Sequence, residues 1–166
     1  MKTAIRQSRG ITLLELLAVL AIAALLAGGG LHAWTGYQQA LRLEQGARQL
    51  LDFLSRVQAN ADWRNETRTA RLIRQGEYWC LNDAADDSAI KSCAEQDPRQ
   101  FTRANKDISV SAFTSDTLTF YGLRNTAQAG HITLANAAGK LRLVISVRGR
   151  LRLCSEDRQV LAIPLC

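Results

Sequence analysis

Proline is scarce in this chain of 166 residues, which contains only two. Neither of them lies between Ile11 and Trp63. A proline inside a helix removes a backbone hydrogen bond and clashes with the preceding turn. The absence of proline between these residues is therefore compatible with one long, uninterrupted helix in the first part of the chain.

The residue patterns of common metal and catalytic sites are also missing. No Cys-x-x-Cys pair occurs, and neither His32 nor His131 lies at zinc-ligand spacing. The chain has no nucleophile elbow, no glycine-rich phosphate loop and no carboxylates at catalytic spacing. His131 stands at the head of a predicted strand, where a packed or capping role is the common one. We expect no metal, no cofactor and no enzymatic activity.

Charge is nearly missing between Ile11 and Leu31, where Glu15 is the one charged side chain. The stretch matches the roughly 20 residues that cross a bilayer as a helix. Three cations precede it: Lys2, Arg6 and Arg9. By the positive-inside rule, they place the N-terminus in the cytoplasm and the rest of the chain outside the cytoplasm. A carboxylate within a span costs roughly 2.5–3.5 kcal/mol, which makes Glu15 a candidate functional residue.

Three other interpretations of this stretch stay open. A secretory signal would end at a small-residue cleavage site near Ala27-Gly28 or Ala33, but the apolar run is long for a signal and contains Glu15. A plain membrane anchor explains the length but not the carboxylate. A fully buried core helix is the third interpretation.

The N-terminus resembles those of type IV prepilins and type II secretion pseudopilins. The likeness rests on the basic leader, the Gly10-Ile11 junction and Glu15, the fifth residue from Ile11. It implies that a prepilin peptidase cleaves between Gly10 and Ile11 and methylates the new N-terminus at Ile11. It also implies that Glu15 is needed for methylation and for recruitment into a filament. We expect the freed amine of Ile11 in one subunit to neutralise Glu15 of its neighbour and so to set their axial register.

Beyond the apolar stretch, apolar positions recur at helical spacing. They are Ala40, Leu43, Ala47, Leu50, Leu54, Val57 and Ala61. This pattern predicts one helix from about Leu13 to Ala61, with an amphipathic second half that packs against a globular domain. The expected organisation is a leader (residues 1–10), a transmembrane helix half (11–31), an amphipathic helix half (32–62) and a periplasmic β-rich domain (63–166).

After Trp63, the spacing of apolar residues changes from the helical repeat to the alternation that is typical of strands. Alternating or β-branched runs at 69–74, 78–81, 108–112, 118–120, 131–134, 141–147 and 151–154 predict six or seven short strands. Residues 82–106 are polar and irregular, and they predict a loop. We expect an α+β fold in which the long helix packs on a small antiparallel sheet domain. The resemblance to pilins implies the same architecture.

All four cysteines lie beyond the apolar stretch, at Cys80, Cys93, Cys154 and Cys166. An even number there is typical of disulfides in an oxidising compartment such as the periplasm. Three pairings are possible. We favour Cys80–Cys93 and Cys154–Cys166, because each closes a short polar loop.

The C-terminal half resembles the GspH/FimT family of minor pseudopilins and minor pilins. The likeness rests on Phe120-Tyr121-Gly122, the glycine-led strand from Gly130 and the closing turn from Ser146 to Arg150. It implies a subunit that joins other minor and major pilins or pseudopilins. Such a subunit initiates or caps a type IV pilus or a type II secretion pseudopilus.

A second hypothesis is a tip subunit that binds DNA for uptake, as some FimT-type members do. It rests on arginines near the C-terminus: Arg142, Arg148, Arg150, Arg152 and Arg158. Such a cluster would make salt-sensitive phosphate contacts. Glu156 and Asp157 interrupt the run, and half of the net charge of +6 lies in the leader. A solvated sheet face is therefore the alternative explanation.

Overall fold

A computed structural model describes residues 12–76, 78–85, 93, 97, 99–102 and 105–166, without the side chains at 27 and 29–32. The predicted Gly10–Ile11 junction lies outside this range, as does much of the predicted loop at 82–106. The chain divides into two compact units. The first ends at Gly36, and the second comprises Tyr37–Cys166.

The first unit is helical from Leu13 onward, and the side chains described at 12–26 are all exposed. Large apolar groups are among them: Leu13 is 83% exposed, Leu14 79% and Leu25 78%. Over the described residues, no helix meets both the length and the apolarity required of a membrane span. The span at residues 11–31 stays a prediction.

A single helix, α1, runs from Leu13 to Arg64. The predicted long helix is confirmed, and it continues past Ala61. It ends where Asn65 adopts a left-handed backbone with φ of 54°. The N–H of Glu66 then donates to the carbonyl of Ala61 at 3.1 Å. A left-handed residue after the last turn closes a helix in this way, and asparagine tolerates that conformation.

The second unit adds nine strands, counted over the described residues. They are β1 (Thr67–Gln75), β2 (Tyr78–Ala84), β3 (Gln100–Thr102), β4 (Ser109–Phe113), β5 (Thr117–Tyr121), β6 (Thr126–Ala127), β7 (Gly130–Asn136), β8 (Gly139–Ile145) and β9 (Leu151–Ser155). A short 3-10 helix, Gly122–Arg124, lies between β5 and β6. The long helix and the antiparallel strands together confirm the α+β prediction.

The strands form two sheets, both antiparallel throughout. The five-stranded sheet has the order β3-β2-β1-β5-β6, and the four-stranded sheet has the order β4-β7-β8-β9. In the four-stranded sheet, Leu134 lies opposite Leu141, and Val144 lies opposite Arg152. Because side chains alternate between faces, the leucine pair and the Val144–Arg152 pair lie on opposite faces.

The core of the second unit contains the predicted apolar stripe of α1. Leu43, Leu50 and Leu54 have no exposed surface, and Ala47, Val57 and Ala61 are also buried. The strands contribute buried side chains to the same cluster: Ala70, Leu81, Leu118, Phe120, Ile132, Leu134, Leu141, Leu143 and Ile145. Burying a large aliphatic side chain contributes about 1.5–3 kcal/mol, so this cluster is the main source of stability.

The predicted loop at 82–106 is wrong at both of its ends. β2 continues to Ala84, and β3 pairs with it so that Asn82 lies opposite Gln100. Asp83 is buried because its carboxylate accepts a hydrogen bond from Nε of Arg68 at 2.9 Å. A polar sequence is therefore compatible with a buried strand here, since its charge is paired inside the domain.

The contact between the 3-10 helix and the end of α1 leads to a stability prediction. The N–H of Gly122 donates to the carbonyl of Glu66 at 3.1 Å. A Cβ at Gly122 would overlap the carbonyl oxygen of Ala61. Gly122→Ala should lower the free energy of unfolding by about 1–3 kcal/mol, as overpacking does. Leu123→Ala is the matched control, because Leu123 is 80% exposed. Urea unfolding of the oxidised protein measures both, and equal stability of the two variants would contradict the close contact.

The Arg68–Asp83 pair gives a second stability prediction. Both side chains are buried, with 10% and 6% of their surface exposed. Asp83→Ala should cost about 3–5 kcal/mol, because it leaves the buried guanidinium of Arg68 with only a long contact of 3.9 Å to the half-exposed carboxylate of Glu66. The double variant Arg68→Met/Asp83→Leu should cost much less, since no buried charge remains. Chemical denaturation at neutral pH tests this. A double variant as unstable as the single one would show that the unpaired charge is not the cause.

Candidate functional site

The sequence points to two places where function could lie: the start of α1 and the arginine-rich part of the four-stranded sheet. Glu15 lies in the first turn of α1 and is exposed. The predicted junction of Gly10 and Ile11 precedes the described residues, so the contact between the Ile11 amine and Glu15 of a neighbour stays a prediction.

Thr12 has a structural role at the start of α1 that was not predicted from the sequence. Its Oγ1 accepts a hydrogen bond from the N–H of Glu15 at 3.3 Å, and its carbonyl accepts one from the N–H of Leu16 at 3.1 Å. Thr12 thus caps the N-terminus of α1. The signal was present in the sequence, because threonine followed three residues later by glutamate is the pattern of a capping box.

The cap gives Glu15 a local role beside the predicted one. A carboxylate in the first turn of a helix is stabilised by the partial positive charge at the helix N-terminus, by typically about 0.3–1 kcal/mol. This role requires no partner subunit. The two roles differ in how much depends on the charge, since glutamine at residue 15 loses only the small interaction with the helix N-terminus, whereas pairing with an amine requires the carboxylate.

Both disulfides lie in the second unit. Cys80 pairs with Cys93 at a Cα–Cα distance of 5.8 Å, and Cys154 pairs with Cys166 at 4.9 Å. These are the pairings favoured from the loop lengths. The first bond links Cys93 to β2, and the second links the C-terminal residue to β9.

The five arginines considered for DNA binding fall into two groups. Arg142 lies half-exposed and is held by the carboxylate of Glu156. The guanidinium of Arg158 donates to the carbonyls of Ala138 at 2.8 Å and Ala137 at 3.0 Å. These two arginines secure the β7–β8 hairpin against the residues after β9. A phosphate would have to displace Glu156 from Arg142, and it would compete with two carbonyls for the guanidinium of Arg158.

Arg148, Arg150 and Arg152 form the second group, here called the basic face. They line a shallow cavity of about 500 Å³ together with Val144, Ser146 and Val147. All three arginines are exposed, and none of the described carboxylates lies within ion-pair distance of them. The Val144–Arg152 pairing places Arg152 on the outer face of the four-stranded sheet. The cavity can accept an anionic group above an apolar floor.

A further ion pair borders the β7–β8 turn. Lys140 Nζ lies 3.0 Å from a carboxylate oxygen of Asp157, and this hydrogen bond raises the pKa of Lys140 above its ordinary value. Asp157 is thus paired with Lys140, and Glu156 is paired with Arg142, so both acidic residues after β9 have a cationic partner. Glu156 and Asp157 therefore neutralise their own neighbours and leave the charge of the basic face uncompensated.

His131 has the structural role expected of it. Its Nδ1 lies 2.9 Å from Oγ1 of Thr114, and its backbone N–H donates to the same oxygen at 2.8 Å. Ser146 is engaged elsewhere, because its Oγ accepts a hydrogen bond from the N–H of Arg150 at 3.0 Å. Among the described residues, no three His, Cys, Asp or Glu side chains are grouped so as to hold a metal ion.

Comparison with known proteins finds a family match for the N-terminal segment. Residues 5–31 match the family described as the prokaryotic N-terminal methylation motif. The N-terminus is that of a type IV prepilin-like protein. The matched region contains the Gly10-Ile11 junction, Thr12 and Glu15. No curated protein and no solved structure matches the chain significantly.

Proposed function

We propose that this chain is a minor pilin or pseudopilin of the GspH/FimT type. It would assemble with other minor subunits to initiate or cap a type IV pilus or a type II secretion pseudopilus. The observation that carries the proposal is the methylation motif at residues 5–31, which overlaps the start of α1. A prepilin-like segment on a long helix is the arrangement expected of a subunit that is processed and then packed into a filament.

The exposed apolar side chains of the first unit support the same proposal. Leu13, Leu14 and Leu25 are each more than three-quarters exposed. Burying side chains of this size is favourable, so such a surface requires lipid or another protein around it. Before assembly, residues 11–31 would lie in the inner membrane, with the N-terminus in the cytoplasm and residues 63–166 in the periplasm. The two disulfides of the second unit suit that oxidising compartment.

Processing and assembly would then follow from the N-terminus. A prepilin peptidase would cleave after Gly10 and methylate Ile11. The charged amine of Ile11 would pair with Glu15 of an adjacent subunit, where each charge offsets the desolvation of the other. Because an unpaired buried charge is costly, only one axial offset between neighbouring helices would be tolerated.

Three substitutions separate this intermolecular role from the local stability of the helix N-terminus. Glu15→Gln keeps the size of the side chain and the Thr12 cap but removes the charge. Thr12→Ala removes the cap, which costs about 1 kcal/mol, but keeps the charge. If pairing sets the register, Glu15→Gln and Glu15→Ala should both be cleaved and membrane-bound but fail to enter filaments. Thr12→Ala should still assemble.

Cross-linking of subunits in sheared filaments measures whether each variant assembles. Mass measurement of the N-terminus shows whether it has been cleaved and methylated. Assembly of Glu15→Gln at the level of the unmodified protein would contradict the pairing role. A mature chain that does not begin at Ile11 would contradict the proposed function itself.

DNA binding at the filament tip is the second candidate function. The observation that favours it is the basic face, whose three arginines line a cavity and have no ionic partner among the described residues. Phosphate binding by arginines releases counterions, so the affinity would fall steeply as salt is raised. Arg142 would take no part while Glu156 holds it.

The triple variant Arg148→Gln/Arg150→Gln/Arg152→Gln tests the DNA hypothesis against a control that removes a neutral pair, Arg142→Gln/Glu156→Gln. If the basic face binds phosphates, the triple variant should reduce the salt dependence of DNA binding by about one unit of slope for each arginine–phosphate interaction removed. The control leaves the net charge unchanged, so it should bind as the unmodified protein does. A gel shift with the fragment from Tyr37 onward, at two salt concentrations, gives the measurement. Absence of a shift at low salt would eliminate this function.

A further inference from the structure

We propose that the outer edge of β9 accepts an extended segment of a partner protein as an additional strand. The segment that fits this edge alternates acidic with apolar residues. The inference rests on the backbone and the charges of β9, and it is independent of filament assembly.

The hydrogen bonds that flank β9 show which of its backbone groups face away from the sheet. The N–H of Ser146 donates to the carbonyl of Arg150 at 3.1 Å, and the N–H of Glu156 donates to the carbonyl of Lys140 at 3.1 Å. Bonded positions alternate along an antiparallel pair. The even-numbered residues of β9 therefore bond to β8, and the odd-numbered residues direct their N–H and carbonyl groups outward. These are Leu151, Leu153 and Ser155.

The chain itself already pairs with one end of this edge. The N–H of Ser155 donates to the carbonyl of Pro164 at 2.7 Å, and the carbonyl of Ser155 accepts from the N–H of Cys166 at 3.0 Å. Ser155 and Leu165 thus form a parallel bridge. The bond between Cys154 and Cys166 holds the two segments together. Residues 164–166 show that the edge is accessible to a neighbouring extended segment.

The remainder of the edge is open. In the part of the chain that the structure describes, no group bonds to the outward N–H and carbonyl of Leu151 or of Leu153. Two donors and two acceptors are therefore available on one side of a regular strand. Unpaired edge groups of this kind are the template used in strand addition, where backbone bonds provide affinity and alternate side chains provide specificity.

The side chains of β9 define the chemistry of the partner. Leu151 and Leu153 are half-buried, whereas Arg150 and Arg152 are exposed. A strand added beside β9 would place its alternate side chains on the same two faces. Acidic residues would lie beside the arginines, and apolar residues would lie beside the leucines. The β9 strand of a second copy is a poor occupant, because it would bring arginine next to arginine across the new pair.

The experiment uses the full chain in detergent micelles, labelled with ¹⁵N-leucine. The probe is a synthetic peptide that alternates glutamate and valine, and the control peptide alternates lysine and valine. We expect the acidic peptide to slow amide hydrogen exchange at Leu151 and Leu153 and to bind about tenfold more tightly than the basic one, a difference of about 1.4 kcal/mol. Unchanged exchange at both amides with the acidic peptide near saturating millimolar concentration would overturn the proposal.

Two substitutions at one position test the backbone contribution. Leu153→Pro removes an outward N–H, and proline is tolerated where an edge strand faces away from its sheet. Leu153→Ala removes as much packing but keeps the N–H. Peptide affinity should fall about tenfold in Leu153→Pro relative to Leu153→Ala. Circular dichroism verifies that both variants fold. Amide hydrogen exchange in the unmodified protein tests the same proposal without either variant. Equal affinities in two folded variants would refute strand addition.

The same titration distinguishes a protein partner from nucleic acid. Single-stranded DNA could bind the arginines, but it supplies no backbone ladder to Leu151 and Leu153. If an oligonucleotide binds in an arginine-dependent manner while the acidic peptide does not bind, the edge is not a strand acceptor. If the peptide protects the leucine amides in the unmodified protein but not in Arg150→Gln/Arg152→Gln, that result would support both strand addition at β9 and the role of the two arginines in binding acidic residues.

Discussion

The burial of one stripe of α1 inside the second unit is the constraint on which the other features depend. Leu43, Leu50 and Leu54 are fully buried, and both sheets contribute side chains to the cluster that covers them. Because strand side chains alternate, the choice of buried face also determines which residues point outward. The exposed positions of Arg150 and Arg152 and the half-buried positions of Leu151 and Leu153 are consequences of that choice.

The end of α1 is held by close backbone contacts rather than by side chains alone. Asn65 reverses the chain, and Gly122 fits against the carbonyl of Ala61, where a side chain would not. Gly149, with φ of 71°, lies against the side chain of Gln58 in the turn that follows β8. Two glycines thus bring separate turns onto the last turns of the helix. The second of these turns begins the basic face, so the helix end contributes to the position of Arg148 and Arg150.

Pairing divides six arginines of the sheet domain into three kinds. Arg68 is buried with Asp83, which makes it part of the core. Arg142 and Arg158 secure the residues after β9 to the β7–β8 hairpin. Arg148, Arg150 and Arg152 have no ionic partner among the described residues and lie at the edge of the four-stranded sheet. Of these six, the third kind offers exposed guanidinium groups that no described group holds, whether to a nucleic acid or to an acidic strand.

The sequence by itself determined the elements that depend on local periodicity. The long helix follows from an apolar repeat without proline. Strands β7 and β8 follow from the alternating runs at 131–134 and 141–147. The prepilin-like N-terminus follows from the spacing of Gly10, Ile11 and Glu15. The cap formed by Thr12 is equally local, and the Thr-x-x-Glu pattern is sufficient to predict it.

Only the tertiary structure decided the features that depend on residues distant in sequence. The polar segment of Asn82 and Asp83 predicts a loop, yet it is a buried strand, because Arg68 supplies the opposite charge from another strand. The arginines near the C-terminus predict one cluster, yet Glu156 removes Arg142 from it. The open edge of β9 also depends on sheet order, which places that strand last. The periodicity of a segment indicates which of its faces can be buried. Its ion-pair partners and neighbouring strands depend on packing between segments that are far apart along the chain.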